Sequence, residues 1–96
     1  MSQQAPRVHT SQAEIESLQA LIVKLREGVR VELLLDDGSR VLGTVTVQPT
    51  LQVFRDDDEQ EGSNSLLRLD DIDDPAQQHL VWLDTIEQVR ELAPQA

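Results

Sequence analysis

The stretch Val29 to Val47, VRVELLLDDGSRVLGTVTV, constrains this chain more than any other. Val29, Val31, Leu33 and Leu35 alternate along a first arm, and Val41, Gly43, Val45 and Val47 along a second. Side chains of a strand point alternately to opposite faces, so each arm reads as a strand with one buried face. Asp36, Asp37, Gly38 and Ser39 lie between them. Asp-Gly supplies the positive φ of a tight hairpin turn. Gly43 sits inside the second arm, where a glycine marks a sharp bend or bulge of the kind a small barrel needs.

The flanks add a helix and more strands. Ser11-Gln12-Ala13-Glu14 has the spacing of a capping box, and Ile15, Leu18, Leu21, Ile22 and Leu25 follow on one helical face. Acidic Glu14 and Glu16 stand near the start and basic Lys24 and Arg26 near the end, as the helix dipole favours. Gly28 is a suitable stop. The expected helix spans 11–27, behind a flexible tail at 1–10.

Beyond the hairpin, Pro49 starts a corner. Strands are expected over 50–55, 64–69 and 79–83, separated by acidic loops at 56–62 and 70–78. Residues 85–92 read two ways. Ile86, Val89 and Leu92 have helical spacing, and a short strand after a tight turn fits as well. Residues 93–96 are expected to be a frayed tail. Ninety-six residues make a single domain, here 11–92. Such a chain buries roughly 60–65% of its unfolded surface, enough for one core. One amphipathic helix and about five strands predict a mainly β fold: a small bent antiparallel barrel over 29–92, with the helix across an open end.

Composition narrows the chemistry. The formal charge is −10, and only eight residues are Lys or Arg. Such a field repels polyanions, so nucleic acid is not the expected partner. With no cysteine, disulfides, zinc thiolates and cysteine nucleophiles are excluded. The first residues carry no apolar signal-peptide core, and the apolar runs are too short for a membrane helix, so a cytoplasmic protein off the membrane is expected.

The residues resemble the Sm/LSm architecture, in which an N-terminal helix precedes a bent five-stranded barrel. The likeness rests on Asp37-Gly38, Gly43 and the late LVWLDTIEQV segment, and it runs from Val29 to Leu92 with the helix in front. Arg30-Val31-Glu32, Asp36-Asp37-Gly38-Ser39, Gly43-Thr44-Val45, Pro49-Thr50, Arg55-Asp56 and Glu61-Gly62-Ser63-Asn64 resemble, more closely, a small bacterial family of Sm-like variants of unassigned role. This implies a fold and no activity. RNA-binding Sm proteins place an Asp and an Asn in the loop after the second strand, and the corresponding stretch 48–53 has neither. They carry Arg-Gly after the fourth strand, where this chain has Asp84-Thr85. Gln48 and Gln52 are the residues left to hydrogen-bond a base.

Other polar groups read as ordinary surface. The run Asp56, Asp57, Asp58, Glu59, Glu61 offers calcium-type oxygens. Registering Gly62 at the glycine of a calcium loop puts Arg68 where the bidentate glutamate belongs, so a solvated loop is the better reading. Asp70, Asp71, Asp73 and Asp74 form a second patch, read as a solubilising surface, with attraction of a basic protein segment as the alternative. His9 and His79 share no ligand motif. Ser63 and Ser65 lack a nucleophile motif, and no phosphate-binding glycine loop occurs. The expectation is a chain that is not an enzyme and uses no metal or cofactor.

Leu34, Leu42 and Trp82 stand on the strand faces opposite their apolar neighbours. Trp82 either lies outside, under the helix or in a subunit interface, or is core with Val81 and Leu83 outward. Together the three suggest an interface, with a homodimer favoured and any further protein partner unspecified.

Overall fold

The computed structural model describes residues 3–93. Within them the chain forms one helix, a short 3-10 turn and eight strands. The helix α1 spans Gln12–Lys24. Strands β2 (Arg30–Leu35), β3 (Arg40–Val45), β6 (Leu66–Asp71), β7 (Gln78–Trp82) and β8 (Ile86–Glu91) build a five-stranded antiparallel sheet in the order β7-β6-β3-β2-β8. A smaller sheet holds β1 (Gln3–Gln4), β4 (Gln52–Arg55) and β5 (Glu61–Asn64) in the order β1-β4-β5.

The β2–β3 hairpin forms as its alternation predicts. Val31 faces Gly43 and Leu33 faces Val41 across the ladder. Gly38 adopts φ +86° in the turn, and the Asp37 carboxylate accepts the Ser39 N–H at 2.9 Å. Gly43 lies against β6, where a Cβ would meet the Asp70 carbonyl oxygen at 2.6 Å and Leu69 Cβ at 2.9 Å. The glycine is thus required by close approach of two backbones.

Leu25, Val31, Leu33, Leu67, Leu69 and Leu83 are fully buried and, with Leu18, Val45, Val81 and Ile86, make the core. Each such leucine contributes roughly 1.5–3 kcal/mol by leaving water. The helix lays Leu18 and Leu25 into this core, with Leu21 and Ile22 at its margin.

Several expectations are corrected. The helix is shorter than 11–27. Ser11 is its N-cap, and Leu25 leaves helical geometry, its N–H bonding Ile22 O at 3.0 Å. Gly28, at φ +84°, belongs to a separate turn in which Val29 N–H bonds Arg26 O. Residues 1–10 are not a loose tail where they are described. Gln3 and Gln4 run parallel to Phe54 and Arg55, Ala5 is buried, and His9 exchanges both backbone hydrogen bonds with Ser63. Since β5 already pairs with β4, His9 joins its opposite edge. The segment therefore starts beside β4, crosses the hairpin, and ends beside β5. Gly62 permits the crossing, because a Cβ there would meet His9 O at 2.9 Å and Val8 Cβ at 3.0 Å.

The strand expected at 64–69 is two strands, and the first begins inside the stretch read as an acidic loop. The strand expected at 50–55 is β4, Gln52–Arg55. Residues 85–92 resolve as the end of the 3-10 turn Leu83–Thr85 followed by β8. Of the tail expected at 93–96, residues 94–96 lie outside the described part.

Candidate functional site

Two places gather polar chemistry. The first joins residues 7–14 to the turn between β7 and β8. His9 Nε2 stands 3.0 Å from Asp84 Oδ2, and His9 Nδ1 stands 3.0 Å from Glu14 Oε2. Both ring nitrogens can donate together only when the imidazole is charged. Partial burial of the ring works against that charge. The hydrogen bonds to Asp84 and Glu14, helped by their negative charge, outweigh it and raise the His9 pKa above its ordinary 6.5. The Ser11 hydroxyl donates to Glu14 Oε1 at 2.7 Å, and with His9 it holds the Glu14 carboxyl below its ordinary 4.5. Ser11 Oγ also accepts the Glu14 N–H at 3.2 Å, so the helix cap and the histidine clasp share a carboxylate.

Asp84 is the centre of the clasp, with a side chain only 7% exposed. Arg7 Nε approaches it at 3.3 Å, and Arg7 also reaches Asp36 at 3.5 Å. Behind this network Asn64, fully buried, donates to Arg7 O at 2.9 Å and accepts the Ser65 N–H at 2.8 Å. Ser65 Oγ donates to Thr50 O at 2.7 Å. An acid where the Sm pattern has arginine thus has a local partner set: it anchors residues 7–9 of its own chain. Proximity of His9 and Asp84 carries no linear motif. The signal in the sequence is the single odd acid at the Leu83-Asp84-Thr85 corner.

The second place is the outer face of the five-stranded sheet. The register puts Arg30 opposite Thr44, Glu32 opposite Leu42, and Leu34 opposite Arg40 on the face away from Val31 and Leu33. Arg90 lies opposite Glu32 and Gln88 opposite Leu34. Glu32, Leu34, Arg40, Gln88 and Arg90 line a shallow concavity of about 170 Å³. Leu34 and Leu42 are diagonal neighbours here, and Leu42 is 36% exposed. Trp82 shares the outward parity but stands on β7, across β6 from β3. Its ring meets Phe54 of the smaller sheet edge to face at 5.1 Å. Its cover is therefore the β4–β5 hairpin, while Val81 and Leu83 are core.

Gln48 and Gln52 do converge. With Gln3, Val47, Pro49, Thr50, Phe54 and Leu66 they line a concavity of about 310 Å³. Gln48 donates to Ile22 O at 3.0 Å and Gln52 to Thr50 Oγ1 at 3.3 Å, so each amide already has a partner in the fold. His79 Nε2 stands 2.8 Å from Asp71 Oδ1. That contact, with the backbone N–H groups of Asp74 and Asp73, lowers the Asp71 pKa. The two acidic loops each fold on their own backbone: Asp56 Oδ1 accepts from Asp58 and Gln60, and Asp71 Oδ2 from Asp73 and Asp74. Among the described residues, no group of three or more His, Asp or Glu is placed to hold a metal ion. No helix among them is long and apolar enough to cross a membrane.

Comparison with known proteins agrees with this architecture. A crystal structure of a Xanthomonas campestris protein, described as adopting a novel variant of the Sm-like motif, superimposes with a TM-score of 0.89. The two are 42% identical, over 97% of this chain and 100% of that one. Nothing among curated proteins matches the chain. Residues 2–92 match the family described as domain of unknown function DUF3247. With a bent mainly β fold behind one N-terminal helix and a bacterial Sm-like variant as structural neighbour, the chain belongs to the DUF3247 family.

Proposed function

We propose that this protein is a non-catalytic interaction and assembly module of the cytoplasm that forms a homodimer through the outer face of its five-stranded sheet. The observation that carries the reading is the half-open apolar pair Leu34 and Leu42 at the centre of that face, flanked by Arg40 and Arg90. Leu66 and Leu80, 40% and 62% exposed, form a separate apolar spot beside Trp82, beyond Asp70 and Arg68. Exposed apolar groups rimmed by polar ones are typical of protein contact sites. The non-catalytic part is supported by the histidines: both nitrogens of His9 and Nε2 of His79 are engaged by carboxylates.

Static light scattering over a range of concentrations tests the dimer. The expected mass is twice that of one chain, and Leu42→Asp is expected to return it to one. A mass of one chain at high concentration overturns the reading.

A second reading is single-stranded RNA held at a non-standard surface. It is favoured by the convergence of Gln3, Gln48, Gln52 and Thr50 on one uncharged concavity. Fluorescence anisotropy of labelled U-rich and A-rich RNA at low and physiological salt tests it. Sub-micromolar binding lost on Gln52→Ala is the outcome it requires; no binding at low salt removes it.

A further inference from the structure

The strand register sorts charge in a way that the linear sequence conceals. Of the eight basic residues, Arg30, Arg40, Arg68 and Arg90 all stand at outward positions of the five-stranded sheet. They alternate with the buried Val31, Leu67 and Leu69 and the partly buried Val41 and Val89 on their own strands. Glu32 and Asp70 are paired into the same face, and Glu87, exposed beside Gln88 between the core-facing Ile86 and Val89, adds a third carboxylate. Four guanidinium groups against three carboxylates leave this face with a positive excess on a chain whose formal charge is −10. Arg90 approaches Glu32 at 3.7 Å, whereas Arg30, Arg40 and Arg68 have no carboxylate of the described residues within 4.0 Å.

The matching negative charge belongs to the other sheet. The turn between β4 and β5 carries Asp56, Asp57, Asp58 and Glu59, and Glu61 opens β5 beside it. Asp56 folds inward, its Oδ1 accepting the N–H groups of Asp58 and Gln60 at 2.9 Å each. Asp57, Asp58 and Glu59 are left exposed on a turn that is already shaped, so little ordering is needed to dock it. Among the described residues, Arg55 is the only cation within 4.0 Å of this loop, through Glu61 at 3.2 Å. Within one copy, then, the positive face and the negative loop do not satisfy each other.

We propose that the outer sheet face receives the Asp56–Glu61 loop of a second copy of this chain, with Arg40 and Arg90 gripping its carboxylates over the Leu34 concavity. This rests on the assembly reading above and names the contact that builds the dimer. A two-fold axis lets each copy give its loop and receive its partner's, so the contact closes on itself. A polyanion is the less favoured occupant, because the surrounding field is negative and Glu32 and Asp70 break the basic stripe. The charge pairing sets orientation and salt sensitivity, and the Leu34–Leu42 surface supplies the apolar part.

The test uses the full chain and two exposed charge reversals: Arg40→Glu with Arg90→Glu on the face, and Asp57→Lys with Asp58→Lys in the loop. Circular dichroism of each variant establishes that it folds. Light scattering is expected to give a dimer for the unmodified chain, weakening at least ~10-fold as salt rises from about 0.05 to about 0.5 M. Each variant alone is expected to be a monomer, and an equimolar mixture of the two is expected to regain the dimer mass. Rescue on mixing is the signature of loop on face. If both folded variants dimerise like the unmodified chain, the docking proposal is overturned while the assembly reading stands. Loss of the dimer in the face variant alone overturns the loop as occupant. A monomeric unmodified chain overturns both. Single-stranded RNA bound by the unmodified chain and released by the face reversal would make the polyanion the occupant and overturn the proposal.

Discussion

His9 Nε2 and Asp84 Oδ2 lie 3.0 Å apart across 75 positions of sequence. Through that contact residues 7–9 are fastened to the corner between β7 and β8, and through Nδ1 the same ring is fastened to the helix cap.

The clasp makes stability depend on pH in a defined direction. The His9 pKa is raised in the folded chain, so its contribution is complete below 6.5, the ordinary value, and is lost as pH rises through the folded value. Glu14 and Asp71 have lowered values, so their contributions are present above the ordinary carboxylate range and fall away as pH drops through the folded values. Urea unfolding across pH is expected to show a maximum between these limits. His9→Gln is expected to cost about 1–3 kcal/mol at pH 6, since it leaves Asp84 short of a charged partner, and to flatten the alkaline limb. An unchanged alkaline limb in the variant would remove His9 as its cause.

Gly43→Ala is expected to destabilise the chain by about 1–3 kcal/mol, because the added carbon meets the backbone of Asp70 at 2.6 Å rather than the end of a movable side chain. Gly28→Ala meets nothing within 4 Å, and its cost comes from the positive φ alone. Chemical denaturation of the two variants separates crowding from backbone strain.

Asn64→Ala is expected to cost about 1–3 kcal/mol by leaving Arg7 O and Ser65 N–H without their buried partner. The loss should be local. Limited proteolysis is expected to cut within residues 3–9 faster in the variant while β2, β3 and β6 stay protected.

Trp82 is the only tryptophan, and Phe54 covers it from the smaller sheet. Phe54→Ala is expected to shift its fluorescence to longer wavelength in the folded state and to cost about 3–5 kcal/mol. Unshifted emission would mean that another group covers the indole.

The fold was legible where chemistry is local. Turn residues at Asp37-Gly38 and strict alternation gave the β2–β3 hairpin and its inward face, and Ser11 with Glu14 gave the helix start. What stayed hidden depends on distant pairing. Glu61, Gly62, Ser63 and Asn64 have no strand-like character; they are extended because β4 and His9 bond them on both edges. Ile86 and Val89 looked helical for a specific reason. A register shift between Leu34 and Leu35 inserts a residue opposite β2, so two positions three apart both face the core. Of the candidate site, the outward parity of Leu34, Leu42 and Trp82 could be read from alternation. Their separation onto distant strands, and the placing of Arg40 and Arg90 beside the first two, follow only from strand order.

The wrapping of residues 3–9 around the β4–β5 hairpin has a consequence for how the protein is made. During synthesis this segment leaves the ribosome well before its partners Phe54 to Ser63, which follow some fifty residues later. It must wait, unpaired, until those residues are translated. Residues 3–9 thus find their place only after the β4–β5 hairpin exists, and any nascent-chain factor that meets them earlier meets them free.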